Sequence, residues 1–165
     1  MKRASHPFWR FSLRSYRRSG VEQACLGLQN TLGADVNLLL FCCWMGTQGR
    51  PLTKRSLRRA VAAVQRWQRE VVQPLRRARR ALRKSSAAVA EAGRAHLRRN
   101  VLSLELDAEY VEQLVLACLA AKLPRPARKQ DPQTASAANL ERYLELLGAP
   151  LGRTTKRRMM TLCRT

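Results

Sequence analysis

Imidazoles, thiols and carboxylates are the groups that could do chemistry in this chain, and they are few. His6 and His96 are its two histidines, and neither stands near an acid or a nucleophile at a spacing that acid–base or nucleophilic catalysis would use. The five cysteines, Cys25, Cys42, Cys43, Cys118 and Cys163, form an odd set without a C-x-x-C pair. Cys25, Cys42 and Cys43 with His6 have the residue types of a zinc site, yet adjacent residues of one helix point roughly 100° apart and rarely serve one ion. Buried thiols acting as small hydrophobes are the expectation, with no metal and no cofactor. Asp35 and Asn37 stand beside an apolar run and, with Glu22, could line a small pocket; the plainer reading is a helix N-cap with first-turn polar groups. The chain has no G-x-S-x-G, H-E-x-x-H, P-loop or G-x-G-x-x-G. It is therefore not expected to be an enzyme.

Cations are the one residue type in excess. Thirty-two Lys and Arg oppose eleven Asp and Glu, a formal charge of +21 in 165 residues, so partners should be anionic. Residues 51–100 hold fifteen of the cations against Glu70 and Glu91. The run QPLRRARRALRK, residues 73–84, places six cations in twelve positions without an acid. Leu75, Ala78 and Leu82 are expected to hold this run to the core and leave Arg76, Arg77, Arg79, Arg80, Arg83 and Lys84 facing water. Glu105, Asp107, Glu109 and Glu112 are bunched further on, and part of the basic run is expected to pair with them; four acids cannot neutralise fifteen cations. The candidate nucleic-acid-binding residues are Arg55, Arg58, Arg59, Arg66, Arg69, Arg76, Arg77, Arg79, Arg80, Arg83 and Lys84. Phe8, Trp9 and Tyr16 alternate with Arg10, Arg14 and Arg17 and could stack bases, although aromatics at helical spacing more often belong to a core.

The elements that must position these groups read as helices throughout. His6 and Pro7 suit an N-cap and first helical position, with Ser5 as the other cap, and Trp9, Leu13 and Tyr16 come next at helical spacing. Val21, Ala24, Cys25, Leu28 and Leu32 mark a second helix, ended by Gly33. Asp35 caps a third whose run from Leu38 to Met45 is apolar on every side and must sit at the centre. From Thr53, Leu57, Val61, Val64, Trp67 or Gln68, Val71, Leu75, Ala78 and Leu82 step by three or four, with a break expected at Gln73 because Pro74 has no N–H to donate. Around SSAAVAEAG, residues 85–93, helix is weak. Leu97, Val101, Leu104, Ala108, Val111, Val115 and Cys118 predict an amphipathic helix of roughly 25 residues. Residues 124–134 read as a linker, and Leu140, Tyr143, Leu144 and Leu147 mark a last short helix. The fold expected is all-α, a single bundle of about six helices over residues 5–147, with a basic flexible tail over 148–165 that has no apolar face.

Composition bounds the compartment. An odd cysteine set fits reduced thiols in a cytosol. The apolar runs at 38–45 and 114–121 fall far short of the ~20 residues that cross a bilayer, so integral membrane association is not expected. The N-terminal segment lacks an apolar secretion core; it is Arg- and Ser-rich and free of acids until Glu22, as mitochondrial presequences also are, but its aromatics fit a core.

Four motifs, PFWRFSLRSY, GVEQACLGLQ, DVNLLLFCCW and VVQPLRRARRALRK, occur in one order between residues 7 and 84. Together they resemble a family of proteobacterial proteins of about this length that carries no assigned function. The resemblance implies a bacterial, cytoplasmic, helical protein and supplies no catalytic residues. The function expected from the cations is non-enzymatic binding of RNA or the ribosome through an Arg-rich helical surface. The other class is a protein–protein interaction module, docking a partner through an amphipathic helix.

Overall fold

The computed structural model describes residues 6–83 and 91–164; Ser5, Lys84 and most of the weak stretch at 85–93 lie outside them. Helices α1 (Pro7–Tyr16), α2 (Val21–Leu32), α3 (Val36–Thr47), α4 (Lys54–Trp67), α5 (Gln73–Ala81), α6 (Glu91–Lys122), α7 (Pro132–Leu146) and α8 (Arg153–Cys163) succeed one another along the chain. A π turn, Gln68–Val72, joins α4 to α5, so the eight segments make seven rods. The described residues contain no strand. The fold is all-α, as the periodicities predict.

Local chemistry explains where the helices begin. His6 Nδ1 accepts from the N–H of Phe8 at 3.2 Å with Pro7 behind it, Asp35 accepts from Asn37 N at 2.8 Å, and Thr53 from Ser56 N at 3.1 Å. Each satisfies an amide that the first turn leaves without a partner. Gly20 and Gly33 bound α2 in the left-handed region, at φ of 80° and 67°.

Helix α3 occupies the centre, with Leu38, Leu39, Leu40, Phe41, Cys42, Cys43 and Met45 all buried. Around it, Phe8 stacks on Trp44 at 4.8 Å and Trp9 meets Tyr110 edge-on at 5.2 Å. Phe8 and Trp9 are therefore core residues, not a base-stacking platform. Asn139 of α7 clasps the chain after α3: its Nδ2 donates to the carbonyls of Cys42 and Arg50, both at 3.1 Å, and its Oδ1 accepts from Leu52 N at 2.6 Å. Gly46 lets α7 approach α3 closely, since a Cβ there would lie 2.5 Å from the backbone N and Cα of Ser136. Gly46→Ala is expected to lower stability by about 1–3 kcal/mol, the usual effect of overpacking. Helix propensity alone would favour alanine by about 1 kcal/mol, so the sign of the shift in urea midpoint decides between the two.

Three expectations are corrected. Helix α7 starts at Pro132, inside the expected linker, because Asp131 caps it and accepts from Thr134 N at 2.8 Å. Helix α6 is 32 residues long and runs through Gly93. The segment read as a tail without an apolar face contains α8, whose Thr155, Met159, Leu162 and Cys163 are buried. These four return at helical spacing, so a short stripe exists, with Met159 and Leu162 flanked by the smaller Thr155 and Cys163. No helix among the described residues is long and apolar enough to cross a membrane.

Candidate nucleic-acid interface

The cations of α4 stand where its amphipathic pattern puts them. At roughly 100° per residue, Arg55, Arg58, Arg59 and Arg66 fall on the side opposite the buried Leu57, Ala60 and Val64. All four are exposed. Arg66 bonds Glu70 at 2.9 Å and the exposed Arg69 bonds the same carboxylate at 3.0 Å. Such surface pairs hold their partners weakly, with a typical worth of about 0–1 kcal/mol.

The π turn resets the register of α5. Pro74 cannot donate to the carbonyl four residues back, and Gln73 N instead reaches Gln68 O, five back. One additional residue in the turn rotates the later register by roughly 100° relative to an uninterrupted α-helix. Val72 becomes fully buried and Arg76 is left only 8 % exposed, while Leu75 and Leu82 are half-buried and Ala78 is exposed. The expected apolar seam of α5 is thus displaced to the rim, and the inward face carries guanidinium groups.

Those guanidiniums meet acids of α6. Arg76 Nε donates to Glu105 Oε1 at 3.2 Å and its Nη2 to Glu109 Oε1 at 2.6 Å. Arg79 grips Glu105 with both Nε and Nη2, the latter at 3.1 Å. Burial opposes the Arg76 charge, but Glu109 and Glu105 more than compensate and hold it above the ordinary arginine range. Glu105 is likewise buried, and its bonds to Arg79 and Arg76 keep it below the usual carboxylate range. Glu109 moves the other way, because burial disfavours its charge more than one guanidinium restores. The two ends of the Arg76–Glu109 bond differ since Arg76 has a second carboxylate and Glu109 has no second cation bonded to it among the described residues.

Beneath this lies a second polar layer. Asn37 Nδ2 donates to Glu112 Oε2 at 3.0 Å, Gln113 Nε2 to Asn37 Oδ1 at 2.8 Å, and Ser12 Oγ to Gln113 Oε1 at 3.0 Å. Asp35 caps α3 through Oδ1 and accepts from Gln68 Nε2 at 3.0 Å through Oδ2, while its own N–H donates to Tyr143 Oη at 2.9 Å. Glu112 is 0 % exposed. Burial first, and then the neighbouring Asp35 charge, push its carboxyl up to about 10. It is therefore a neutral acid at neutral pH.

These layers require a rotated α6. Its buried face is Glu105, Ala108, Glu112, Gln113, Leu116 and Ala120, whereas Leu97, Leu104, Val115 and Cys118 of the expected seam are exposed. The N-cap reading of Asp35 holds, whereas Asp35, Asn37 and Glu22 do not share one small pocket. Asp35 is the N-cap, and Asn37 with Glu22 lines a cleft of about 1000 Å³ between α1, α2, α5 and α6.

Of the residues expected to bind nucleic acid, Arg55, Arg58, Arg59, Arg77, Arg80 and Arg83 are exposed and make no ion pair among the described residues. Arg66 and Arg69 are exposed beside Glu70, Arg79 is half-buried, Arg76 is buried, and Lys84 lies outside the described residues. Arg76 and Arg79 are corrected to internal partners of Glu105 and Glu109. The acidic bunching of α6 signalled that pairing; Gln68, Gln113 and Ser12 gave no signal, since a lone polar residue on a helix is ordinarily solvated.

A family model described as a protein of unknown function (DUF2390) matches residues 7–116. That span takes in every element from α1 through the acidic half of α6. No curated protein and no solved structure matches the chain.

Proposed function

We propose that this chain, which belongs to that family, is a non-enzymatic accessory protein that binds RNA, free or within the ribosome, through the outward cationic face of α4 and α5. One observation carries the reading: Arg55, Arg58, Arg59, Arg77, Arg80 and Arg83 face solvent with no ion pair among the described residues. The acids nearest the basic run, Glu105 and Glu109, are already taken by Arg76 and Arg79. A phosphate backbone laid along the outer face would release its condensed counterions. Phosphate contacts position without specifying sequence, so structured RNA suits this surface better than a DNA operator does. In this reading the protein works in the bacterial cytoplasm.

The test is affinity for total RNA across a salt series. Each phosphate contact steepens the slope of log K against log salt by about 0.7–0.9. Replacing Arg55, Arg58 and Arg59 together by Glu is expected to flatten the slope by about 2 or more while the unfolding midpoint stays put. An unchanged slope would remove α4 from the interface. A second reading, docking of a protein partner on α6, is supported by the exposed Leu97, Leu104 and Val115; capture that survives nuclease and high salt would favour it.

A further inference from the structure

The cleft between α1, α2, α5 and α6 has features that the outward cations do not explain. Leu13, Leu26 and Leu102 are exposed by 41 %, 37 % and 42 %, and all three line it. Apolar side chains left open to water on three different helices converge on one concavity, with Leu40 of α3 and the half-buried Tyr16 completing the wall. Its volume of about 1000 Å³ is at the upper end for small-molecule sites. Arg76, more than nine-tenths buried, lines both this cleft and an adjoining recess of about 290 Å³. Its Nη1 is buried and has no hydrogen-bond partner among the described residues, although Nε and Nη2 are both engaged. A guanidinium nitrogen in that state lacks the acceptor that buried donors ordinarily have. Arg80 lines both cavities and Arg83 stands at the cleft.

We propose that this cleft is a binding site for a small amphipathic anion, whose apolar body lies against Leu13, Leu26, Leu40 and Leu102 and whose carboxylate or phosphate head pairs with the exposed Arg80 and Arg83, with the buried Arg76 adding positive charge from the wall behind them. The charges around the head favour an anion. Arg76, Arg79, Arg80 and Arg83 line the cleft against Glu22, Glu105 and Glu109, and burial pushes Glu109 toward its neutral form. Glu105 is committed to Arg76 and Arg79. The site shares Arg80 and Arg83 with the RNA reading, but its apolar wall is built from α1, α2, α3 and α6, so Leu26→Trp, which leaves every cation of α4 and α5 in place, tests it independently of that reading.

Calorimetric titration of the full chain with decanoate, decyl phosphate, decanol and inorganic phosphate tests the proposal. One saturable site per chain is expected for decanoate or decyl phosphate, with decanol and inorganic phosphate at least about tenfold weaker. The tighter of the two anions identifies the head. Arg76 is unsuitable for substitution because its loss leaves Glu109 without its ion-pair partner, so Arg80→Ala removes one guanidinium of the head site and Leu26→Trp fills the chamber without changing charge. Each is expected to weaken the preferred anion by about tenfold or more. Equal binding of decanol, equal binding of inorganic phosphate, or anion binding that persists unchanged in Leu26→Trp would overturn the proposal, as would absence of saturable binding by every probe.

Discussion

Arg76→Met is expected to lower the unfolding free energy by about 3–5 kcal/mol, the effect of breaking a buried pair from one side. The substitution keeps much of the side-chain volume but leaves Glu109 without its guanidinium and Glu105 with Arg79 alone. Arg77→Met, one residue along and exposed, is expected to change stability by no more than about 0.5 kcal/mol. Combining Arg76→Met with Glu109→Gln, which leaves Glu105 to Arg79, should recover most of the loss, because desolvated charge and not lost packing accounts for it. Urea unfolding of the four proteins measures all of this. Equal midpoints for Arg76→Met and Arg77→Met would mean that the inward rotation of α5 is wrong.

Glu112→Gln is expected to stabilise the protein increasingly as pH rises. The Glu112 carboxyl, raised to about 10 in the folded chain by burial and by Asp35, keeps a proton that the unfolded chain releases above about 4.5. The folded state therefore binds more protons than the unfolded state between these two values, and stability falls with pH across the window at about 1.4 kcal/mol per unit for this one group. Glutamine carries no such proton, yet can still accept from Asn37 Nδ2. Between pH 6 and 8 the variant should gain about 2–3 kcal/mol on the parent. Glu109, also raised, is present in both proteins and cancels. Parallel stability curves for the two proteins would show that Glu112 is ionised in the folded state.

The parts of the fold that were legible in the sequence are those determined by local chemistry. His6–Pro7, Asp35 and Thr53 each announce a helix start through a side chain that caps its own first turn, and the apolar girth of residues 38–45 identifies the central helix. What escaped depended on partners distant in sequence. Apolar periodicity in α6 selects Leu97, Leu104 and Val115, whereas the buried stripe runs through Glu105, Glu112 and Gln113; acids become an inward face only when guanidiniums and amides of α3 and α5 stand opposite. The register of α5 was lost in a single turn. Pro74 signalled a disturbance, but whether the chain breaks or takes up one residue in a π turn depends on Arg76 finding Glu105 and Glu109. Helix α8 was hidden because its apolar stripe is short, Met159, Leu162 and Cys163 amid cations, and its first buried position is the polar Thr155.

The candidate interface divides along the same line. Composition identified the basic run, and its outer members Arg77, Arg80 and Arg83 do face solvent. It gave no means of separating them from Arg76 and Arg79, which differ in register and not in type. The cleft was anticipated only through Asn37 and Glu22, since its walls come from five helices.

The most direct measurement reads RNA affinity and urea midpoint on one pair of proteins. Replacing Arg77 and Arg80 by Glu should weaken RNA binding and flatten its salt dependence while the midpoint holds. Arg76→Met should do the reverse, lowering the midpoint while the folded protein binds RNA as before. RNA affinity and salt slope left unchanged by the Arg77 and Arg80 reversals would contradict the assignment of the outer arginines to a polyanion.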